Sequence, residues 1–169
     1  MQIGSDDHLK ELSEQLAKLM LKNKLRLAAA ESCTGGWLAK CCTDLAGSSS
    51  WFDRGFVTYS NDAKHTDLHV PSNTISHYGA VSENTAIAMA EGVLKLSQAN
   101  ISVAITGIAG PSGATATKPV GTVCFAFTLE NKETNSLTQY FKGNRERVRR
   151  QALVVAFEGI INIVRTTLI

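Results

Sequence analysis

Leu9, Leu12, Leu16, Leu19 and Met20 recur at three- and four-residue spacing. This period predicts an amphipathic helix over about 6–22, with Ser5 or Asp6 placed to cap it. Leu25–Ala30 then reads as a short strand, although its three alanines disfavour that state. It opens into a polar, glycine-bearing turn, Glu31–Gly36, and a helix over about 36–45. A second strand is predicted over 55–59, followed by short helices over 61–68 and 72–78, the first capped by Ser60 or Asn61. Ser82 caps the clearest helix, which runs to about Gln98 with Ala86, Met89, Ala90 and Val93 on its apolar face. Ile101–Ile105 is a buried-type strand that empties into a second glycine-bearing loop, Thr106–Gly113. Segments 120–129 and 136–141 predict a β-hairpin across a polar turn, and a last helix runs from about Asn144 toward Val164. Helices interleave with strands and a hairpin comes late. The expected fold is therefore α/β, a three-layer α/β/α sandwich with a mixed, mostly parallel sheet.

The length of 169 residues suits a single domain, 1–169, without an internal repeat or linker. Net charge is only +2, so a nucleic-acid partner is not expected and any anion site must be local. Residues 1–10 carry acids and no apolar stretch, which does not describe a signal peptide. No apolar run approaches the ~20 residues that span a bilayer. A cytoplasmic protein without a membrane partner is expected. Cys33, Cys41, Cys42 and Cys124 form no CxxC pair and are expected as free thiols.

Both glycine-bearing loops follow predicted strands, where open α/β sheets bind ligands. Neither matches a Walker or dinucleotide pattern, so ordinary turns explain them equally well. Ser32 lies at the mouth of the first loop. It is a nucleophile if a base is near, or a helix cap; Thr34, closer to the helix, is the better cap and leaves Ser32 free. Lys64 stands one turn into the helix after Tyr59, and a lysine in a dry pocket can lose its proton and act as a base. Alone it reads as a solvated surface lysine, by far the commoner role of a lysine on a helix. His65 and His69 are i,i+4 neighbours, but without an HExxH pattern a solvated helix face is favoured and no metal is expected. Arg145 opens the last helix, where it can clamp a phosphate or simply face solvent; Arg149, one turn on, shares that face.

Seven segments in one order then make a pattern: Ala30-Glu31-Ser32-Cys33-Thr34-Gly35-Gly36, Gly47-Ser48-Ser49, Tyr59-Ser60-Asn61-Asp62-Ala63-Lys64, Val81-Ser82-Glu83, Thr106-Gly107-Ile108-Ala109-Gly110-Pro111, Lys118-Pro119-Val120-Gly121-Thr122-Val123 and Gly143-Asn144-Arg145. Together they resemble the CinA C-terminal domain family, which includes stand-alone nicotinamide mononucleotide deamidases. The resemblance implies hydrolysis of nicotinamide mononucleotide to nicotinate mononucleotide and ammonia, as part of pyridine nucleotide recycling. It implies Ser32 as nucleophile, activated by Tyr59 and Lys64. It places Thr34, Gly35, Gly36, Ser48, Asn61, Thr106, Gly107, Gly110 and Arg145 about the substrate, with no cofactor, and a homo-oligomer is expected. Other members often carry an N-terminal molybdopterin-binding-like domain, for which this chain is too short.

In this reading Lys64, directly or through Tyr59, takes the Ser32 proton, and backbone N–H groups of Thr34, Gly35 and Gly36 form an oxyanion hole. One departure stands out. The family usually reads Gly-Pro-Asp-Gly-Gly where this chain has Gly110-Pro111-Ser112-Gly113-Ala114. The loss of an acid and a glycine motivates the alternative of an inactive paralogue that binds a nucleotide or a protein partner. A third reading is a thiol hydrolase using Cys33.

Overall fold

The structure, a computed structural model, describes residues 4–168. Helix α1, Asp6–Lys22, carries Leu9, Leu12, Leu16 and Met20 on its buried face, and the Ser5 side chain accepts from His8 N at its start. Strand β1 is Leu27–Glu31 and helix α2 is Trp37–Thr43. A single 3₁₀ turn, Ser48–Ser50, leads into strand β2, Phe52–Val57. Helices α3, Asn61–Leu68, and α4, Ser72–Tyr78, precede α5, Glu83–Lys95, and strand β3, Ile101–Gly107. Strands β4, Thr122–Leu129, and β5, Asn135–Tyr140, form the hairpin, and α6, Arg145–Leu168, ends the chain.

The sheet order is β2-β1-β3-β4-β5. β1 runs parallel to β2 and β3, whereas β3–β4 and β4–β5 are antiparallel. The sheet is mixed, as expected, but evenly so rather than mostly parallel. The cause is the connection from β3 to β4, which turns back without the crossover helix that a parallel neighbour requires.

The two faces of the sheet are packed with different residues. Toward α1, α2 and α6 point Leu27, Ile101, Val103, Ile105, Phe125 and Phe127, buried against Leu16, Leu38, Leu153 and Phe157. Toward α3 and α5 point Ala28, Ala30, Ala104 and Ala126, against Leu68, Met89 and Val93. This explains the alanines of β1. A central strand covered on both faces is stabilised by burial, and small side chains let α5 come close, so context overrides the intrinsic preference. β2 begins three residues before its expected start and ends two before Tyr59. The buried Trp51 and Phe52 anchor that start, while the polar Asp53 and Arg54 obscure it in sequence; Asp53 pairs with Arg26 at 3.2 Å and Arg54 at 2.8 Å.

Because β1, β2 and β3 are mutually parallel, Glu31, Val57 and Gly107 end on one side of the sheet. The segments that follow them build the site.

Candidate active site

At the end of β1 the chain makes a tight turn, Ser32–Gly36, before α2. Gly36 is the residue before the helix and has φ 89°, and a Cβ there would lie 3.2 Å from Val57 Cγ2. Glycine is therefore required by both conformation and space. No side chain at the cap itself closes the helix. The carboxylate of Glu31, 1% exposed, accepts instead from Gly36 N at 3.1 Å, Leu38 N at 3.1 Å and Ala39 N at 2.9 Å. A buried anion on the helix N-terminus satisfies its free donors and the positive end of its dipole together. Thr34 is thus not the cap: its hydroxyl is buried and makes no hydrogen bond among the described residues. Its carbonyl accepts from Arg149 at 2.8 Å, and the Arg149 guanidinium lies over the Trp37 ring, 5.0 Å from its centroid. Arg149 braces the turn from behind and does not share the face of Arg145.

This turn presents Ser32, 8% exposed, to Lys64. Ser60 caps α3, accepting from Ala63 N at 2.9 Å, and fixes the register that sends Lys64 inward. Lys64 is 1% exposed, with Nζ 3.0 Å from Ser32 Oγ, 2.8 Å from the Thr58 carbonyl and 3.4 Å from the Tyr59 carbonyl. Among the described residues no carboxylate pairs with it. Burial pushes the Lys64 ammonium below its ordinary value. Nζ donates to Ser32 Oγ and to the Thr58 and Tyr59 carbonyls and lies 3.5 Å from the Ser60 carbonyl; loss of its proton would leave a lone pair able to take the Ser32 proton.

A cavity of about 290 Å³ opens over this pair. Ser32, Tyr59, Asn61, Lys64, Thr106, Gly107, Gly110 and Arg145, all named from sequence, line it together with Cys33 and Ser112. The Thr106 hydroxyl donates to the Ala80 carbonyl at 2.8 Å. Arg145 spans the opening and donates to the Gly110 carbonyl and the Tyr59 hydroxyl, each at 2.8 Å. Tyr59 hence turns its hydroxyl to Arg145, and the amine reaches Ser32 directly. A proton relay through Tyr59 is not what the geometry shows. Burial pushes the Cys33 thiol up to about 12, so it stays a neutral thiol and a poor nucleophile.

Three expectations are corrected. Gly35 and Gly36 border a separate cleft with Trp37 and Arg149. Their N–H groups are already engaged, Gly35 with the Ser32 carbonyl and Gly36 with Glu31, so they do not form an oxyanion hole. Of the remaining residues of that turn, Cys33 lines the cavity beside Ser32, whereas Thr34 is fully buried and does not line it. Ser48 lies in the 3₁₀ turn before β2, at the opposite end of the sheet from the cavity. Glu31 is the residue that sequence reasoning missed, and its position five residues before the cap gave no local capping motif.

A strand-end serine held against a buried, acid-free lysine, beneath an arginine, is an arrangement that can support serine–lysine hydrolysis, and it stands on a three-layer α/β fold. A model of the CinA C-terminal domain matches residues 9–164, and the chain belongs to that family. It is 48% identical to the nicotinamide-nucleotide amidohydrolase PncC of Escherichia coli strain K12, covering 92% of this chain and 94% of that protein. Among solved structures it superposes on the competence damage-inducible protein A of Klebsiella pneumoniae with a TM-score of 0.91 at 34% identity, covering 94% of this chain and 98% of that one. It superposes on a competence/damage inducible protein of Agrobacterium tumefaciens with a TM-score of 0.90 at 41% identity, covering 96% and 99%.

Proposed function

We propose that this protein is an amidohydrolase that converts nicotinamide mononucleotide to nicotinate mononucleotide and ammonia. The observation that carries the reading is Lys64 Nζ, buried without a carboxylate partner, 3.0 Å from Ser32 Oγ. The likeness to a nicotinamide-nucleotide amidohydrolase over nine-tenths of the chain supports the substrate.

Neutral Lys64 takes the Ser32 proton as Oγ bonds to the carboxamide carbon. The Cys33 N–H, beside Ser32 at the cavity wall, is the donor this reading gives to the oxyanion. Lys64 returns the proton to the departing nitrogen, the C–N bond breaks and ammonia leaves. Water then attacks the acyl-serine ester, gives its proton to Lys64, and the C–O bond to Ser32 breaks as Oγ recovers that proton. The product is a carboxylate. Arg145 holds the phosphate, exchanging two neutral acceptors for a charged one. No step calls for a metal or a cofactor. Residues 1–169 form one such domain, cytoplasmic and homo-oligomeric in this reading; fractionation and light scattering check those two points.

Incubation of the pure protein with nicotinamide mononucleotide, followed for nicotinate mononucleotide and ammonia, tests the reading. Free nicotinamide should turn over far more slowly, because the phosphate contacts contribute the binding energy that positions the amide. Binding of the nucleotide without ammonia release would favour the inactive paralogue that Ser112 and Ala114 motivate.

A further inference from the structure

We propose that this site binds its own acid product more tightly than its amide substrate, with Lys64 as the partner of the product carboxylate, so that the acid nucleotide restrains the enzyme. The inference rests on the amidohydrolase reading above and concerns the regulation of that site.

The cavity wall holds the permanently charged Arg145, the ionisable amine of Lys64 and no carboxylate. The acids nearest in sequence are committed elsewhere or lie outside it. Glu31 is taken up by the N-terminus of α2, Glu83 accepts from Ser136 and Thr138, both at 2.7 Å, and Asp62 is exposed on α3. Ser112, where the family pattern carries an aspartate, adds a neutral hydroxyl to the wall. The pocket is therefore an unbalanced cationic one.

Substrate and product share ribose and phosphate, so Arg145 does not distinguish them. They differ only at the reacting carbon, which is a neutral carboxamide before the reaction and a carboxylate after it. That carbon must reach bonding distance of Ser32 Oγ, and Oγ lies 3.0 Å from Lys64 Nζ. The product oxygens consequently arise within hydrogen-bond reach of the amine. A carboxylate there forms a charge-assisted bond that the amide cannot.

Several segments face Lys64. The β1–α2 turn brings Ser32 and Cys33, and the segment after β2 brings the Thr58 and Tyr59 carbonyls. Ala80, Val81 and the loop Thr106–Gly110 bring no titratable side chain, and α6 brings the permanently charged Arg145. The Cys33 thiol remains neutral, its value pushed up to about 12 by burial. Lys64 is held below its ordinary value in the free enzyme, and a carboxylate beside it reverses that shift. Product binding thus takes up a proton, and its advantage fades as pH rises past the Lys64 value in the complex.

The test is calorimetric titration of the Ser32→Ala protein with nicotinamide mononucleotide and with nicotinate mononucleotide, at about pH 6.5 and about pH 8.5, in buffers of unequal ionisation enthalpy. At the lower pH the acid should bind at least about tenfold tighter, with net proton uptake, and the gap should narrow at the higher pH. Adding Lys64→Met should cost the acid about tenfold and the amide less than about threefold. The unmodified enzyme gives a second measure free of any folding defect: competitive inhibition by the acid at a constant about tenfold below KM at the lower pH. Equal affinity for both nucleotides, or a preference that survives Lys64→Met, overturns the inference and leaves the amidohydrolase reading standing. Failure of the acid alone to bind likewise overturns only the inference, and failure of both nucleotides to bind removes both readings.

Discussion

The two glycine-bearing loops above the sheet are built on opposite plans. The first, Glu31–Gly36, is locked from within: Glu31 takes three N–H groups of α2, Arg149 grips the Thr34 carbonyl, and Ser32 and Thr34 are buried. The second is secured at its base and, farther out, by a turn in which Thr115 N donates to the Lys118 carbonyl at 2.9 Å. Ile108 N donates to the Thr122 carbonyl and Gly121 N to the Ile108 carbonyl, both at 2.8 Å, while 111–117 lie exposed. Within that base, Gly110 has φ 82° and a Cβ there would stand 2.5 Å from Val120 Cγ1. A nucleophile needs sub-ångström placement, so it sits on the locked loop; a wall that admits and releases a nucleotide tolerates an open rim. Damage to the first loop should appear in kcat, and damage to the second wall in KM.

The largest effect is expected where the locked loop meets α3. Ser32→Ala and Lys64→Met should each lower kcat by at least about a thousandfold, and the double variant should be little worse than either, because the pair acts as a unit. The pH profile should carry the same signature. Lys64 must be neutral to act, so kcat/KM rises with pH through the Lys64 value, which burial sets below the ordinary lysine range. Loss of that ascending limb in Lys64→Met, measured against a slow residual rate, would assign it. Additive losses in the double variant would break the pair.

Arg145→Ala comes next and addresses the other wall. Removing a charge-assisted contact to phosphate should raise KM about ten- to a hundredfold and move kcat far less. An equal fall in kcat would show that Arg145, through its bond to the Tyr59 hydroxyl, also shapes the reacting end.

Glu31→Gln tests the lock itself. The amide presents donors where Gly36, Leu38 and Ala39 already donate, so stability should fall by about 2 kcal/mol by urea denaturation. In the folded fraction kcat should fall about tenfold with KM within about twofold, because the turn moves Ser32 rather than the phosphate site. A stability loss without a kcat loss would reduce Glu31 to a cap.

Much of this site was legible in sequence, for a physical reason. A strand end followed by a helix start is written in local periodicity, so the sequence puts Ser32 just after one strand and Lys64 one turn into the helix that follows another. Their 3.0 Å approach follows from three parallel strands. Glu31 is not legible in sequence, because the N–H groups that donate to it lie five to eight residues onward and no short motif describes a cap that reaches across a turn. Thr34 was misplaced for the same reason: a better anion had already claimed the helix. Tyr59 and Arg149 were misread because their partners, Arg145 and Thr34, are 86 and 115 positions away.

The smallest expected effect is at Ser48, and it bears on the comparison most sharply because Ser48 belongs to neither loop. The family pattern places it about the substrate, yet in the single chain its 3₁₀ turn precedes β2, at the far end of the sheet from the cavity. It is half-buried and makes no side-chain hydrogen bond among the described residues. A substitution that removes no contact should stay within about 0.5 kcal/mol, so Ser48→Ala should leave kcat and KM within about twofold. The measurement is a full saturation curve at protein concentrations well above and well below any dimerisation constant. A KM rise seen only at the higher concentration would mean that a second copy carries Ser48 to the rim of this cavity. Both loops would then be only part of the site. No change at either concentration confines substrate recognition to the two loops and Arg145.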